Sequence, residues 1–392
     1  MSAASICMIS VFWLALLLPV YSYVLYPLLI VAMSAVAKWR RPLPRTDVTS
    51  TTGALLPPVA IVVSAYNEEQ HIADLVTNLR SLDYPVPPTL YLGSDGSSDR
   101  TAEILQAHAG ARVRVFSFRH NRGKASVLND LLAASTEPII AFTDANTRLE
   151  PDALSRLVRH FDNPQVGAVC GELSLRAADC GDNVDGVYWR IERLLKASES
   201  VLGALLGANG AIYAIRRECF VPIKPDTVVD DFCIAMTVAA AGRSLVYESQ
   251  ARAVEDAPAE IHDEFKRRVR IGVGNYQAFF RHPEYLFGAN AMRSFAYFSH
   301  KVLRWFTPHL LLLALLTNTL LLDQPFYRAL CFIQTGTYSL CLLLYVLTRK
   351  LDIPRLLRLP VFLVAMNVAF GFGFYRYVTG QYSGSWKRTA RA

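Results

Sequence analysis

The sequence predicts an α/β domain with a mostly parallel sheet, set between apolar helices near both ends of the chain. Three observations carry this. Short apolar strands alternate with amphipathic helices between residues 59 and 142, the pattern of a sheet covered on both faces. Hydrophobic residues make up 52% of the 392 residues and mean hydropathy is +0.24. That excess sits at the ends, so a soluble domain lies between membrane segments. The formal charge of +7 collects beside the apolar stretches, which fits an anionic cytoplasmic leaflet. No basic run interleaved with aromatics marks a nucleic-acid binder. The seven cysteines include no C-x-x-C pair. Cys170, Cys180, Cys219 and Cys233 read as reduced packing thiols.

In chain order, Ser5 to Ala37 is almost uncharged and longer than the ~20 residues that span a bilayer. Lys38, Arg40, Arg41 and Arg45 follow, so the positive-inside rule puts the next residues in the cytoplasm. Residues 43–57 read as a linker. Strand Val59 to Ser64 leads through Ala65-Tyr66-Asn67-Glu68-Glu69 into a helix with apolar residues at Ile72, Leu75, Val76 and Leu79. Strand Thr89 to Leu92 runs into Gly93-Ser94-Asp95-Gly96-Ser97-Ser98-Asp99. Helix 100–108, strand 112–116 and helix 126–134 come next, the last entered through Asn121-Arg122-Gly123-Lys124. The apolar run Pro138 to Phe142 is a short buried strand that ends on Asp144-Ala145-Asn146. Glu68, Asp95 and Asp144 thus stand at the carboxyl ends of three strands, where open α/β sheets bind ligands. Asp144 with Asn146 offers oxygen ligands to Mg²⁺ or Mn²⁺, although Asp and Asn are also ordinary turn residues.

Four of these segments, in this order, resemble the family 2 inverting glycosyltransferases. The resemblance covers about residues 58 to 277. It implies the nucleotide-sugar-binding GT-A fold. Tyr66 and Glu68 fall in the family's first motif, Asp95 on the acid that holds the nucleoside, and Lys124 on the lysine that approaches the nucleotide. Asp144-Ala145-Asn146 stands at the D-x-D motif, with Asn146 for the second acid. Asn209 and Gly210 lie in a stretch similar to the acceptor region of processive polysaccharide synthases (the cellulose, hyaluronan and poly-N-acetylglucosamine type). Thr227-Val228-Val229-Asp230-Asp231-Phe232 resembles T-E-D, with Asp230 at the Glu position and Asp231 at the general base. A sugar hydroxyl needs such a carboxylate to take its proton, and the like charge of Asp230 raises a neighbour's pKa. Asp is also a good helix N-cap. Arg267 to Ile271 resembles Q-x-x-R-W. Arg270 falls on the arginine, where a guanidinium can grip a diphosphate, and Ile271 replaces the tryptophan.

The implied domains are 1–42, an N-terminal transmembrane segment; 58–278, a cytoplasmic GT-A domain; 279–304, interfacial helices; and 305–392, a C-terminal transmembrane region. Apolar segments at 305–322 and 326–347 form a hairpin through the membrane. The third, 359–378, is interrupted by Asn367, Gly371, Gly373 and Arg376 and reads as bent, re-entrant or interfacial, with the basic tail inside. The resemblance implies an inner-membrane enzyme that uses a nucleotide-sugar, UDP-linked by family habit, with Mg²⁺ or Mn²⁺. It extends a polysaccharide; transfer of one sugar to a lipid acceptor, or a non-catalytic subunit of a secretion complex, are the alternatives.

Overall fold

A computed structural model describes residues 3–40, 56–176, 184–256, 261–288, 290–347 and 355–382. The expected residues of the linker at 43–55, the loop at 177–183, Cys180, Arg349, Lys350 and the basic tail lie outside them. The chain opens with α1 (Ala3–Val20) and α2 (Tyr26–Arg40), joined by a π turn at Tyr21–Leu25. Then β1 (Val59–Ala65), α3 (Ile72–Arg80), β2 (Thr89–Asp95), α4 (Thr101–Ala107), β3 (Val113–Phe118), α5 (Lys124–Ala134) and β4 (Ile139–Phe142) alternate as expected.

β1 is buried along its whole length, and its alternation divides the core between two faces. Val59, Ile61 and Val63 meet Ile72, Leu75, Leu79 and Leu105 from α3 and α4. Ala60 and Val62 meet Val127, Leu128 and Leu131 of α5 on the other face. β5 (Arg148–Leu149), α6 (Ala153–Val158), β6 (Val166–Arg176), α7 (Val184–Val201), β7 (Tyr213–Arg216), α8 (Asp230–Ala240) and β8 (Ser244–Asp256) complete the domain.

The eight-stranded sheet has the order β3-β2-β1-β4-β7-β6-β8-β5. Pairings β1–β2, β1–β4, β2–β3 and β6–β8 are parallel, whereas β4–β7, β6–β7 and β5–β8 are antiparallel. The sheet is thus mostly parallel, as expected, with β7 and β5 reversed. The reversal has a local cause. The chain returns from α7 to the carboxyl end of β4, so Tyr213 pairs with Phe142 and their rings stack at 4.4 Å. This brings the Gly207–Ala211 approach over Asp144.

α9 (Ile261–Arg281) is followed by α10 (Ala291–Ala296), a π turn at Tyr297–Val302, and α11 (Leu303–Thr319). α12 (Pro325–Leu347) and α13 (Arg355–Val378) close the described chain. Among the described residues three helices are long and apolar enough to cross a membrane: Ser5–Arg40, Pro325–Leu347 and Pro360–Val378. The segment expected at 305–322 lies instead in the shorter α11, which packs on α1. Arg293 and Arg304, in the stretch read as interfacial, are buried in protein. Arg293 donates to the carbonyls of Ala239 and Gly203.

Asn367, Gly371 and Gly373 do not interrupt the last segment: α13 is one continuous helix. Its glycines serve contact. A Cβ on Gly373 would sit 2.9 Å from Gly272 Cα and 3.0 Å from the Val269 carbonyl oxygen. α9, which carries Arg270, and α13 thus touch backbone to backbone. Gly373→Leu is expected to push these helices apart at a cost of about 1–3 kcal/mol, read as a lower melting temperature.

Candidate active site

Asp95 is fully buried, and both its oxygens are spent on backbone. It accepts from the Arg122 N–H at 2.8 Å and the Gly123 N–H at 2.9 Å. The loop before α5 is thereby pinned to the end of β2, and Lys124 is aimed from the first turn of α5. Gly96, at φ +66°, permits the close approach: a Cβ there would lie 2.4 Å from the His120 carbonyl carbon. Asp95→Ala would leave two buried donors unmet, at about 1–3 kcal/mol each. A fall in melting temperature together with weaker nucleotide binding is the expected result.

Tyr66 and Glu68 lie in the neighbouring loop after β1. The Glu68 N–H donates to Thr101 Oγ1 at 2.8 Å, and its carbonyl accepts from His71 and Ile72 at the start of α3. Asn67, at φ +55°, accepts from the Ser98 N–H at 2.8 Å. The two loops are laced together along one edge of the sheet.

Lys124 is the hinge of the charge arrangement. Its Nζ lies 2.7 Å from Asp144 Oδ1 and 3.2 Å from Asp230 Oδ2. Burial opposes its positive charge, but Asp144, Asp230 and Asp231 outweigh it and raise its pKa. Asp144 Oδ2 faces Gly210, where a Cβ would stand 3.0 Å away. Thr143 Oγ1 donates to the Ala211 carbonyl at 2.8 Å and fixes that approach. Asn209 accepts from the Ile212 N–H at 3.2 Å.

Asp230 and Asp231 open α8, where acids favour the helix dipole. Asp231 Oδ1 accepts from the Phe232 N–H at 2.8 Å. Phe232 is held edge-on by Trp305 and Tyr285. Burial, then the charge of Asp230, pushes the Asp231 carboxyl up to about 6, against the opposing pull of Lys124. The loop before α8 is clamped to α9. Gln277 accepts from the Val228 N–H and donates to the Asp226 carbonyl, and Arg281 grips both Asp226 oxygens at 2.9 and 2.6 Å. Arg270, on the same helix, is exposed and within electrostatic reach of Asp230, Asp144 and Asp231.

One cavity of about 360 Å³ gathers Lys124, Asp144, Asn209, Gly210, Asp230, Asp231 and Arg270. Tyr66, Glu68 and Asp95 do not line it, and Asn146 lines a separate cavity with His71, Asn78 and Arg148. The Thr147 N–H donates to the Asp144 carbonyl at 3.1 Å, so Ala145 and Asn146 form the corner of a turn. Two residues that would share a face in a strand therefore diverge.

A divalent cation fits the remaining donors. Mg²⁺ and Mn²⁺ need one or two protein carboxylates when a diphosphate supplies the rest. Asp144 is partly open to the cavity, and the buried Asp230 Oδ2 shares the Lys124 ammonium with it, at 3.2 Å. Among the described residues no group of three His, Cys, Asp or Glu forms an all-protein metal cage.

A second set of charges that sequence reasoning missed lines the same cavity: Glu192, Arg193, Lys196, His300, Lys301 and Arg304. The available signal was the spacing Trp189, Glu192, Arg193, Lys196, one face of α7. Cys170, Cys219 and Cys233 are free thiols.

Family models described as Glycosyl transferase family 2 and Glycosyl transferase family group 2 match residues 60–201 and 139–371. A poly-beta-1,6-N-acetyl-D-glucosamine synthase from Staphylococcus epidermidis is 26% identical over 230 residues, 57% of this chain and 56% of the relative. One from Staphylococcus aureus is 24% identical over 236 residues, again 57% and 56%. The chain thus spans about half the length of the curated relatives it matches. Among solved structures, the mannosyltransferase PcManGT from Pyrobaculum calidifontis, in complex with GDP-Man and Mn²⁺, shares the fold. It has a TM-score of 0.67 and 21% identity, over 95% of this chain and 99% of that one.

Proposed function

The chain belongs to glycosyl transferase family group 2, and from that premise we propose that it transfers a sugar, with inversion, from a nucleotide-sugar to a growing saccharide. The observation that carries this reading is the meeting of Lys124, Asp144, Asp230, Asp231 and Arg270 around one cavity.

Asp231 takes the proton of the acceptor hydroxyl as that oxygen attacks the anomeric carbon. The bond from that carbon to the diphosphate breaks, and the nucleoside diphosphate leaves with the electron pair. Arg270 and Lys124 meet the developing charge. Asp144, with Asp230 beside it, would hold Mg²⁺ or Mn²⁺, which supplies further neutralisation of the diphosphate when bound. Asp95 acts through the loop it grips, and Glu68 through the start of α3. Asn209 and Gly210 form the floor beside the acceptor. The poly-beta-1,6-N-acetyl-D-glucosamine synthases favour a polysaccharide product; a UDP-sugar, expected from the family resemblance, is the first donor to try, and the GDP-Man of the mannosyltransferase makes GDP-mannose the second. Lys38 and Arg40, at the end of the first apolar helix, favour a multi-pass inner-membrane protein with its active site in the cytoplasm.

The full-length protein in detergent, given a panel of UDP- and GDP-sugars, tests the reading by release of nucleoside diphosphate and by product mass. EDTA is expected to suppress release at least about tenfold, and added Mn²⁺ or Mg²⁺ to restore it. A protein that binds a nucleotide-sugar yet never cleaves one would be a binding subunit, and the proposal would fail.

A further inference from the structure

α9 meets the loop before α8 with one stripe of its surface. Arg270, Gly274, Gln277 and Arg281 recur at helical spacing, so they share a face. Arg270 lies within electrostatic reach of Asp144, Asp230 and Asp231. Gly274 meets the two residues before Asp230: a Cβ there would lie 2.7 Å from Val229 Cγ1 and 3.1 Å from Val228 Cβ. Gln277 is buried, and both ends of its amide are used on the same loop. Its oxygen accepts from the Val228 N–H at 3.1 Å, and its nitrogen donates to the Asp226 carbonyl at 3.0 Å. Arg281 then holds the Asp226 carboxylate.

α8 needs this outside support. It starts from Val229, and no side chain caps it there. Valine is a poor N-cap, and the first turn carries two adjacent acids. Where the helix begins is therefore set by what holds residues 226–229. α9 itself has little room to move. A Cβ on Gly272 would lie 3.2 Å from Phe370 Cδ1 and 3.4 Å from Gly373 Cα of α13. The Tyr276 hydroxyl donates to the Trp305 carbonyl of α11.

A single displacement needs the base and the leaving group aligned with the reacting carbon, and a misplacement of about 1 Å can cost about a hundredfold in rate. Here one helix face carries the guanidinium at the diphosphate end and, two turns later, the amide that holds the loop leading to the base.

We infer that Gln277 is a positioning residue for the general base: with Gly274 it sets where α8 begins, and so where Asp231 stands relative to Arg270. This rests on the transferase reading and deepens it.

The test uses the full-length protein in detergent and the UDP- or GDP-sugar that the unaltered protein cleaves. Binding of UDP or GDP counts the intact sites. Gln277→Met keeps the length of the side chain and removes both hydrogen bonds. It is expected to lower kcat per intact site by about tenfold or more, with the donor KM within about twofold of the unaltered value. Gly274→Ala pushes on Val229 without removing a hydrogen bond and should act in the same direction. Adding Val229→Ala takes away the two nearest clashing atoms, so the double variant should recover at least half of the lost rate. This pair carries the test should Gln277→Met not fold. Hydrogen exchange gives a readout free of activity: the amides at the start of α8 should exchange about tenfold faster or more in Gln277→Met, because an unmet buried amide partner is costly. Unchanged kcat per intact site overturns the inference, as does unchanged exchange at the start of α8 or a rise in donor KM alone. Absence of donor cleavage by the unaltered protein would instead sink the transferase reading, while faster exchange would still show that Gln277 places the acid pair.

Discussion

Asp231→Asn is expected to lower sugar transfer by about a thousandfold, the middle of the range for removal of a general base, with little change in nucleotide-sugar affinity. The amide keeps an oxygen for the Phe232 N–H, so the start of α8 should hold. In the unaltered enzyme the same residue sets a pH limb. With its carboxyl pushed up to about 6, Asp231 is protonated and inactive below that pH and charged above it. The rate should therefore rise as pH passes through about 6 and level off towards 7. In Asp231→Asn the residual rate should lose that limb. Initial rates across pH 5 to 8 read both effects. Loss of donor binding instead would reassign Asp231 to holding the helix.

Much of this site could be read from the chain because its parts sit at strand ends and helix starts. The apolar run from Pro138 to Phe142 fixed where β4 stops, and therefore where Asp144 stands. The acid pair at 230–231 and the arginine at 270 each open or ride a helix whose pattern was plain. What failed were the steps that depend on one turn or on distant packing. Asn146 was paired with Asp144 by its spacing, but the turn that the Thr147 N–H closes sends it into another cavity. Gly371 and Gly373 looked like breaks in a membrane helix, whereas Gly373 is where α13 meets α9. Lys301 and Arg304 looked like interfacial charges. Their partner Glu192 lies more than a hundred residues earlier, and no local pattern reports that pairing.

Removing Lys124 should have the second large effect, and its direction follows from the same charges. Its ammonium lies 2.7 Å from Asp144 and 3.2 Å from Asp230, and it lowers the pKa of Asp231. Lys124→Met leaves three carboxylates facing one cavity with no ammonium among them. Like charges then favour protonation, so the limb at about 6 should move up by about one pH unit, equivalent to about 1.4 kcal/mol of lost stabilisation of the charged form. At pH 6 the base would then be mostly neutral, and the lost cation would no longer meet the leaving diphosphate. Together these effects should lower kcat/KM by about a hundredfold or more. A lysine that merely supported the fold would lower the melting temperature and the rate alike, yet leave the limb in place. Lys124→Arg separates the two: it restores the charge and should return the limb towards 6, while its bulk against Gly210, whose Cβ position lies 3.4 Å from the lysine Nζ, keeps the rate depressed. A limb that stays at about 6 in Lys124→Met would show that Asp231 does not sense this ammonium, and the base would have to be sought elsewhere in the cavity.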